Sequence, residues 1–205
     1  MSPTLVIGSG NKKKGRELSE LVGPLGIAVL TLADFPRLPP VDETGRTFAD
    51  NAALKAVGYA RQLRHWVLAD DSGLCVDALG GLPGVDSALY AGRHGDDEAN
   101  NDKLLAELGD APPDRRTAYY VCHVVLADPA GAIRFRTEDY CRGRIVRERD
   151  GSGGFGYDPL FEIVEYHRTF GTLSPAVKAC ISHRARAMRK LLPMLEQLAS
   201  TGALG

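Results

Sequence analysis

The chain of 205 residues has no excess of either charge: 25 Lys and Arg stand against 26 Asp and Glu, for a formal net charge of −1. That balance excludes long-range attraction to nucleic acid or to an anionic membrane, although a small anion can still meet local positive charge. Aromatic residues make up 7% and are not interleaved with basic ones, which argues against an RNA-binding surface. Cysteine is scarce. Cys75, Cys122, Cys141 and Cys180 are widely spaced and form no Cys-x-x-Cys pair, which excludes a zinc knuckle and a disulfide framework. No apolar run approaches membrane-spanning length, and Met1-Ser2-Pro3-Thr4 lacks the basic and apolar regions of a signal peptide. The expectation is a reduced, cytoplasmic protein with no nucleic-acid or membrane partner.

What remains is ordinary for a globular chain: 44% hydrophobic and 25% charged residues, enough for one compact domain over residues 1–205. Thr4 to Ile7 reads as a buried strand that runs into Gly8-Ser9-Gly10-Asn11 and then a basic helix, whose Leu18, Leu21 and Val22 supply an i, i+3, i+4 apolar face. Residues 27–32 read as a second strand. After a Pro-rich loop, Thr47 is an N-cap with Asp50 three residues on, opening an Ala-rich helix. A third strand is expected to end at Asp70, a helix at 96–108, and two β runs at 118–127 and 133–141 flanking the hairpin turn Asp128-Pro129-Ala130-Gly131. The last helix starts near His183, with Pro193 expected to kink or divide it. The class is α/β with a mixed sheet.

The stretch Trp66-Val67-Leu68-Ala69-Asp70-Asp71-Ser72-Gly73-Leu74 draws the eye first. Adjacent carboxylates repel, so the pair needs a cation or strong donors close by. At a strand end, hard oxygens suit Mg²⁺, which takes one or two protein carboxylates plus substrate phosphates. An acidic turn reads equally well from these residues alone. Because strand side chains alternate between faces, Asp70 and Asp71 are not expected to act as a matched dyad.

Four further groups bear on chemistry. Gly8-Ser9-Gly10-Asn11-Lys12-Lys13-Lys14 joins a strand to a helix start, where backbone N–H groups and the helix dipole favour an anion. Cations are poorly placed at that end unless an anion binds there. The dinucleotide fingerprint fails at Lys13, and the P-loop fails because Gly15 is followed by Arg16-Glu17. Asn51 and Lys55 share a helix face, and Glu43, in a Gly-containing turn before them, could complete a metal site with Asp71; alone, surface polarity explains the group as well. Gly153-Gly154-Phe155-Gly156-Tyr157-Asp158-Pro159 lets a flat ligand approach the backbone and stack on Phe155, against the reading of a turn with core aromatics. Lys178 and Ser182-His183-Arg184 open the last helix, and His and Arg could read the carbonyl edge of a base; alone they read better as a cap and exposed charge.

Taken together these blocks resemble the inosine triphosphate pyrophosphatase family. Ser9-Gly10-Asn11-Lys12-Lys13-Lys14 is similar to its Thr-Gly-Asn-x-x-Lys opening, with Ser9 keeping the hydroxyl. Glu43-Thr44-Gly45-Arg46-Thr47-Phe48, Asn51-Ala52-x-x-Lys55-Ala56, Ala69-Asp70-Asp71-Ser72-Gly73-Leu74, Gly154-Phe155-Gly156-Tyr157-Asp158-Pro159 and Ser182-His183-Arg184 follow in order. Three departures stand out: Ser9 itself, the stretch with Asp86 and Leu89 where an aromatic and Arg are more usual, and the lack of acidic residues before Lys178.

The resemblance implies an elongated mixed sheet flanked by helices, two lobes with a central substrate cleft, and a homodimer. It implies Mg²⁺-dependent hydrolysis of ITP, dITP and XTP, small-molecule purine triphosphates, to the monophosphate and pyrophosphate. Asp71 takes the general-base and metal position and Glu43 the second carboxylate. Ser9, Gly10, Asn11, Lys12, Lys13, Lys14, Lys55, Ser72 and Lys178 map to substrate binding; Phe155, Gly156, Tyr157, Asp158, His183 and Arg184 map to the nucleoside pocket. Two other classes stay open: a nucleotide-sensing module without turnover, and a magnesium phosphatase releasing orthophosphate.

Overall fold

Residues 3–204 are described by a computed structural model, the side chain of Lys12 excepted. Among these residues seven strands form one sheet: β1 (Thr4–Ile7), β2 (Ala28–Thr31), β3 (Val67–Val76), β4 (Thr117–Ala127), β5 (Ile133–Ile145), β6 (Phe161–Ile163) and β7 (Arg168–Thr169). Their order is β2-β1-β3-β4-β5-β6-β7. The sheet is mixed, as expected. β1 runs parallel to β2 and to β3, with Val6 opposite Val67 and Ile7 opposite Leu68, whereas β6 is antiparallel to β5 and β7. Among the described residues five α-helices accompany it: α1 (Lys12–Val22), α2 (Phe48–Leu63), α3 (Asp97–Leu108), α4 (Pro175–Ile181) and α5 (His183–Ser200).

The chain resolves into two compact units. The first comprises the chain up to Asp71, Cys122–Asp139 and the chain from Arg184; the second comprises Ser72–Val121 and Tyr140–His183. In the first unit, strand alternation sorts the core into two layers. Leu5, Ile7 and Leu68 pack with Leu18 and Val22 of α1 and with Met188, Leu191 and Leu195 of α5. Val6, Val67 and Ala69 pack with Ala52, Ala56 and Ala60 of α2. Small alanines on α2 let that helix lie close to the sheet. The second unit has an aromatic core in which Tyr120 meets Phe161 at 4.7 Å between ring centroids.

Local rules account for the helix starts. Asn11 caps α1 by accepting from the N–H groups of Lys13 and Lys14, and Thr47 caps α2 by accepting from Asp50 N–H. Two expectations change. The third strand does not end at Asp70 but continues through Val76, so the acidic pair lies inside a strand and neither opens a turn nor sits at a strand end. Each carboxylate meets cations on its own face of the sheet, so the ladder continues past them. The last helix is not divided: α5 is continuous through Pro193 to Ser200.

Candidate active site

Within the first unit, Val67, Ala69 and Asp71 face α2, while Leu68 and Asp70 face α1 and α5. The two acids therefore belong to different clusters. On the α2 face, Lys55 Nζ donates to Asp71 Oδ1 at 3.0 Å and to Glu43 Oε2 at 2.7 Å. One buried ammonium thus gathers two carboxylates from a strand and a loop. Burial drives the Asp71 carboxyl above its ordinary pKa, against the pull of Lys55 and Lys14. Burial also opposes the charged form of Lys55, but Asp71, Asp70 and Glu43 outweigh it and hold its pKa above the usual lysine value.

The loop that carries Glu43 is fixed by the same helix. Gly45 N–H donates to Asn51 Oδ1 at 2.8 Å, and a Cβ at Gly45 would lie 2.6 Å from that oxygen. Glycine is required here because the loop passes against a buried asparagine.

On the opposite face, Asp70 is 1% exposed and accepts from Arg184 Nε at 3.2 Å, with Lys14 Nζ 3.5 Å away. Arg184 also donates to Glu17. Burial would raise the Asp70 pKa, but Lys14, Arg184 and Lys55 overcome it and hold the carboxyl well below the usual range. Next to this cluster, Ser9 Oγ accepts from Asn11 N–H at 3.2 Å and shapes the turn before α1. Gly10, Asn11 and Lys13 are exposed there and Lys14 is half-buried. A Cβ at Gly8 would lie 2.9 Å from Val67, so the turn leaves the sheet through a position where the backbone passes too close for a side chain.

The second unit holds a separate cluster. Asp158 Oδ2 accepts from Phe155 N–H at 2.8 Å and from Lys178 Nζ at 2.6 Å. The same ammonium lies 4.6 Å from the centre of the Phe155 ring, a cation–π contact. Gly154 adopts φ +76°, and a Cβ there would fall 1.9 Å from Asp158 Oδ2. His183 stacks on Tyr120 with centroids 4.8 Å apart and planes 9° from parallel.

This order of blocks matches the Ham1 family model over residues 5–194. The chain belongs to the Ham1 family. It is 53% identical to a dITP/XTP pyrophosphatase of Rhodopirellula baltica over 199 residues, 97% of this chain and 96% of that protein. A HAM1 protein from Coxiella burnetii has the same fold, with TM-score 0.86 and 37% identity over 96% of this chain and all of that one. A nucleoside-triphosphatase and dITP/XTP pyrophosphatase from Mycobacterium abscessus aligns with TM-score 0.75 and 43% identity, covering 93% and 99% of the two chains.

Set beside the residues expected from sequence, this Ham1 chain brings Glu43, Lys55 and Asp71 into one cluster and Phe155, Asp158 and Lys178 into another. Ser72 is half-buried and directly follows Asp71 in β3. The side chain of Lys12 lies outside the described residues. Arg184 was expected to read a base, but its guanidinium is buried in the ion pair with Asp70 and Glu17. Arg184 Nε and Nη1 are thereby held by Asp70 and Glu17. Tyr157 is buried, and its hydroxyl donates to Ser87 O at 2.8 Å. Asn11 gives its side-chain oxygen to the α1 cap and its N–H to Ser9 Oγ, so the exposed Gly10 and Lys13 are the part of the turn that can face an anion. The partner Glu17 carries no motif signal of its own; only the three-dimensional pairing with Arg184 singles it out.

Proposed function

We propose that this protein hydrolyses non-canonical purine nucleoside triphosphates, dITP, ITP and XTP, to the monophosphate and pyrophosphate, and that it uses Mg²⁺. The observation that carries the reading is the convergence of Glu43 and Asp71 on the single ammonium of Lys55. Among the described residues no three His, Cys, Asp or Glu side chains gather as a metal cage. Two convergent carboxylates nevertheless fit Mg²⁺, which commonly binds through one or two carboxylates and completes its shell with water and substrate phosphates. Glu43 and Asp71 would hold the ion, and it would supply charge neutralisation on the triphosphate oxygens.

The protein's own groups have definite tasks. Asp71 orients a water and takes its proton as the water oxygen bonds to the α-phosphorus. The bond from that phosphorus to the bridging oxygen of the β-phosphate then breaks, and pyrophosphate leaves. Lys13, Lys14, Lys55 and the exposed turn at Gly10 screen the leaving charge, because phosphoryl transfer depends mainly on positioning and electrostatics. Phe155 supplies a stacking surface for the purine, with Lys178 and His183 as donors for the oxygen at C6. Adenine presents an amino group there, so a buried donor set would discriminate against it.

The reading extends to a reduced cytoplasmic homodimer. The wide spacing of the four cysteines, with no Cys-x-x-Cys pair, supports the first part, and exposed Leu82, Val85 and Leu89 offer apolar surface for the second. The test is direct. Purified protein is incubated with dITP, ITP, XTP, ATP and GTP, with and without Mg²⁺, and products are resolved by anion-exchange chromatography. Monophosphate and pyrophosphate in equal amounts support the reading. Orthophosphate would identify a phosphatase instead, and tight binding without turnover a sensor.

A further inference from the structure

We propose that Asp97 and Asn101, on the first turns of α3, are positioning residues for the purine: they clamp the Gly156 peptide on both sides and so fix the turn that presents Phe155. The inference rests on the nucleotide reading above and adds two residues that no part of the sequence pattern singled out.

Gly156 N–H donates to Asp97 Oδ2 at 2.8 Å, and Gly156 C=O accepts from Asn101 Nδ2 at 2.9 Å. The two side chains are four apart, hence on one face of α3. The second hydrogen of the Asn101 amide goes to the backbone oxygen of Asp97 at 2.7 Å, so the clamp is braced within itself. Gly156 lies at φ +61°, a left-handed conformation that glycine enters without steric cost and leaves just as readily. The turn is closed across Gly156 by Asp158 N–H donating to Phe155 O at 3.3 Å, and the two hydrogen bonds to α3 fix how the glycine sits within it.

The neighbours are held separately. Phe155 N–H is taken by Asp158 and the Tyr157 hydroxyl by Ser87, which leaves Gly156 as the link whose orientation α3 decides. Asn101 is 1% exposed, and its Oδ1 is buried without a hydrogen-bond partner in the described structure. Native proteins rarely tolerate such an atom. Here the amide is turned so that both donors serve the clamp and its acceptor goes unmet. A stacking platform has to be held within about half an ångström to orient a bound base, and a loop of glycines achieves that only when anchored from outside.

Asp97→Ala removes the acceptor, Asn101→Asp replaces the donors with a carboxylate facing a carbonyl, and Asp97→Asn keeps an acceptor oxygen in place. Steady-state kinetics with dITP and Mg²⁺ should show KM raised about tenfold or more in the first two, with kcat held within about threefold, since misplacement acts on ligand orientation. Asp97→Asn should bring KM back to within about threefold of the parent. Unchanged KM in Asp97→Ala would overturn the proposal, as would a fall in kcat alone or an Asp97→Asn variant as impaired as Asp97→Ala. Asp97 is half-buried at a helix start, so its two variants carry the test even if Asn101→Asp does not fold. Parent protein that turns over none of dITP, ITP and XTP would instead defeat the nucleotide reading itself, before any variant is compared.

Discussion

Asp70→Asn separates the structural acid from the chemical one. In the folded protein the Asp70 side chain has no exposed surface and the Arg184 side chain is 2% exposed, with Nε 3.2 Å from Oδ2. Removing one partner of a buried ion pair strands the other charge, at a cost of about 3–5 kcal/mol. Glu17, partly exposed, still pairs with Arg184, which places the expected loss near the lower end, about 3 kcal/mol. For a chain of this size each kcal/mol moves the melting temperature by about 2–4 °C, so Asp70→Asn should melt about 6–12 °C lower by circular dichroism at pH 7. The pH dependence carries the sign. The folded carboxyl titrates well below its ordinary value, so its contribution is fully present above the unfolded pKa of about 4 and fades as pH falls through and below that range. The gap between parent and variant should therefore be constant from pH 7 to about 5 and narrow below about 4. A variant melting within 2 °C of the parent at pH 7, or a gap that widens on acidification, would refute the reasoning.

Asp71→Asn should lower kcat for dITP by about 10²–10⁴, the range for a lost general base, with a smaller melting shift than Asp70→Asn because Lys55 keeps Glu43; kinetics paired with thermal melts check both. Chelation with EDTA should abolish turnover and added Mg²⁺ restore it, while the melting temperature barely changes, since Lys55 already balances Glu43 and Asp71. Gly154→Ala should raise KM and cost about 1–3 kcal/mol in denaturant titrations: its Cβ would collide with the Asp158 carboxylate in a left-handed conformation, and Asp158 would lose its hold on Phe155 and Lys178.

Much of this was legible in the residues. The Thr47 cap, the apolar face of α1, the hairpin turn at Asp128 and the mixed sheet all follow from local rules that tertiary context does not override. The end of β3 was not legible, because Asp-Asp-Ser-Gly has the composition of a turn. Only the cations brought from α1, α2 and α5 let those acids stay inside a strand. The burial of Arg184 was not legible for a related reason: a basic residue at a helix start looks exposed until the distant acid that buries it is known. Asp97 and Asn101 escaped notice because a clamp on a backbone peptide leaves no spacing signature; its partner is a glycine 55 or more residues away.

A strand, unlike a turn, explains why two adjacent acids can coexist. In a turn both carboxylates could swing toward one cation and compete for it. In β3 the alternation of side chains commits Asp71 to the face with Lys55 and Glu43 and Asp70 to the face with Lys14 and Arg184. Asp70 then anchors the first turn of α1 and the start of α5 to the same strand that carries the candidate base. A register slip of one residue would exchange the two acids and present each to the wrong cations. The motif is thus a register lock as well as a candidate site, and the stability that Asp70 contributes and the chemistry proposed for Asp71 are two consequences of one strand geometry.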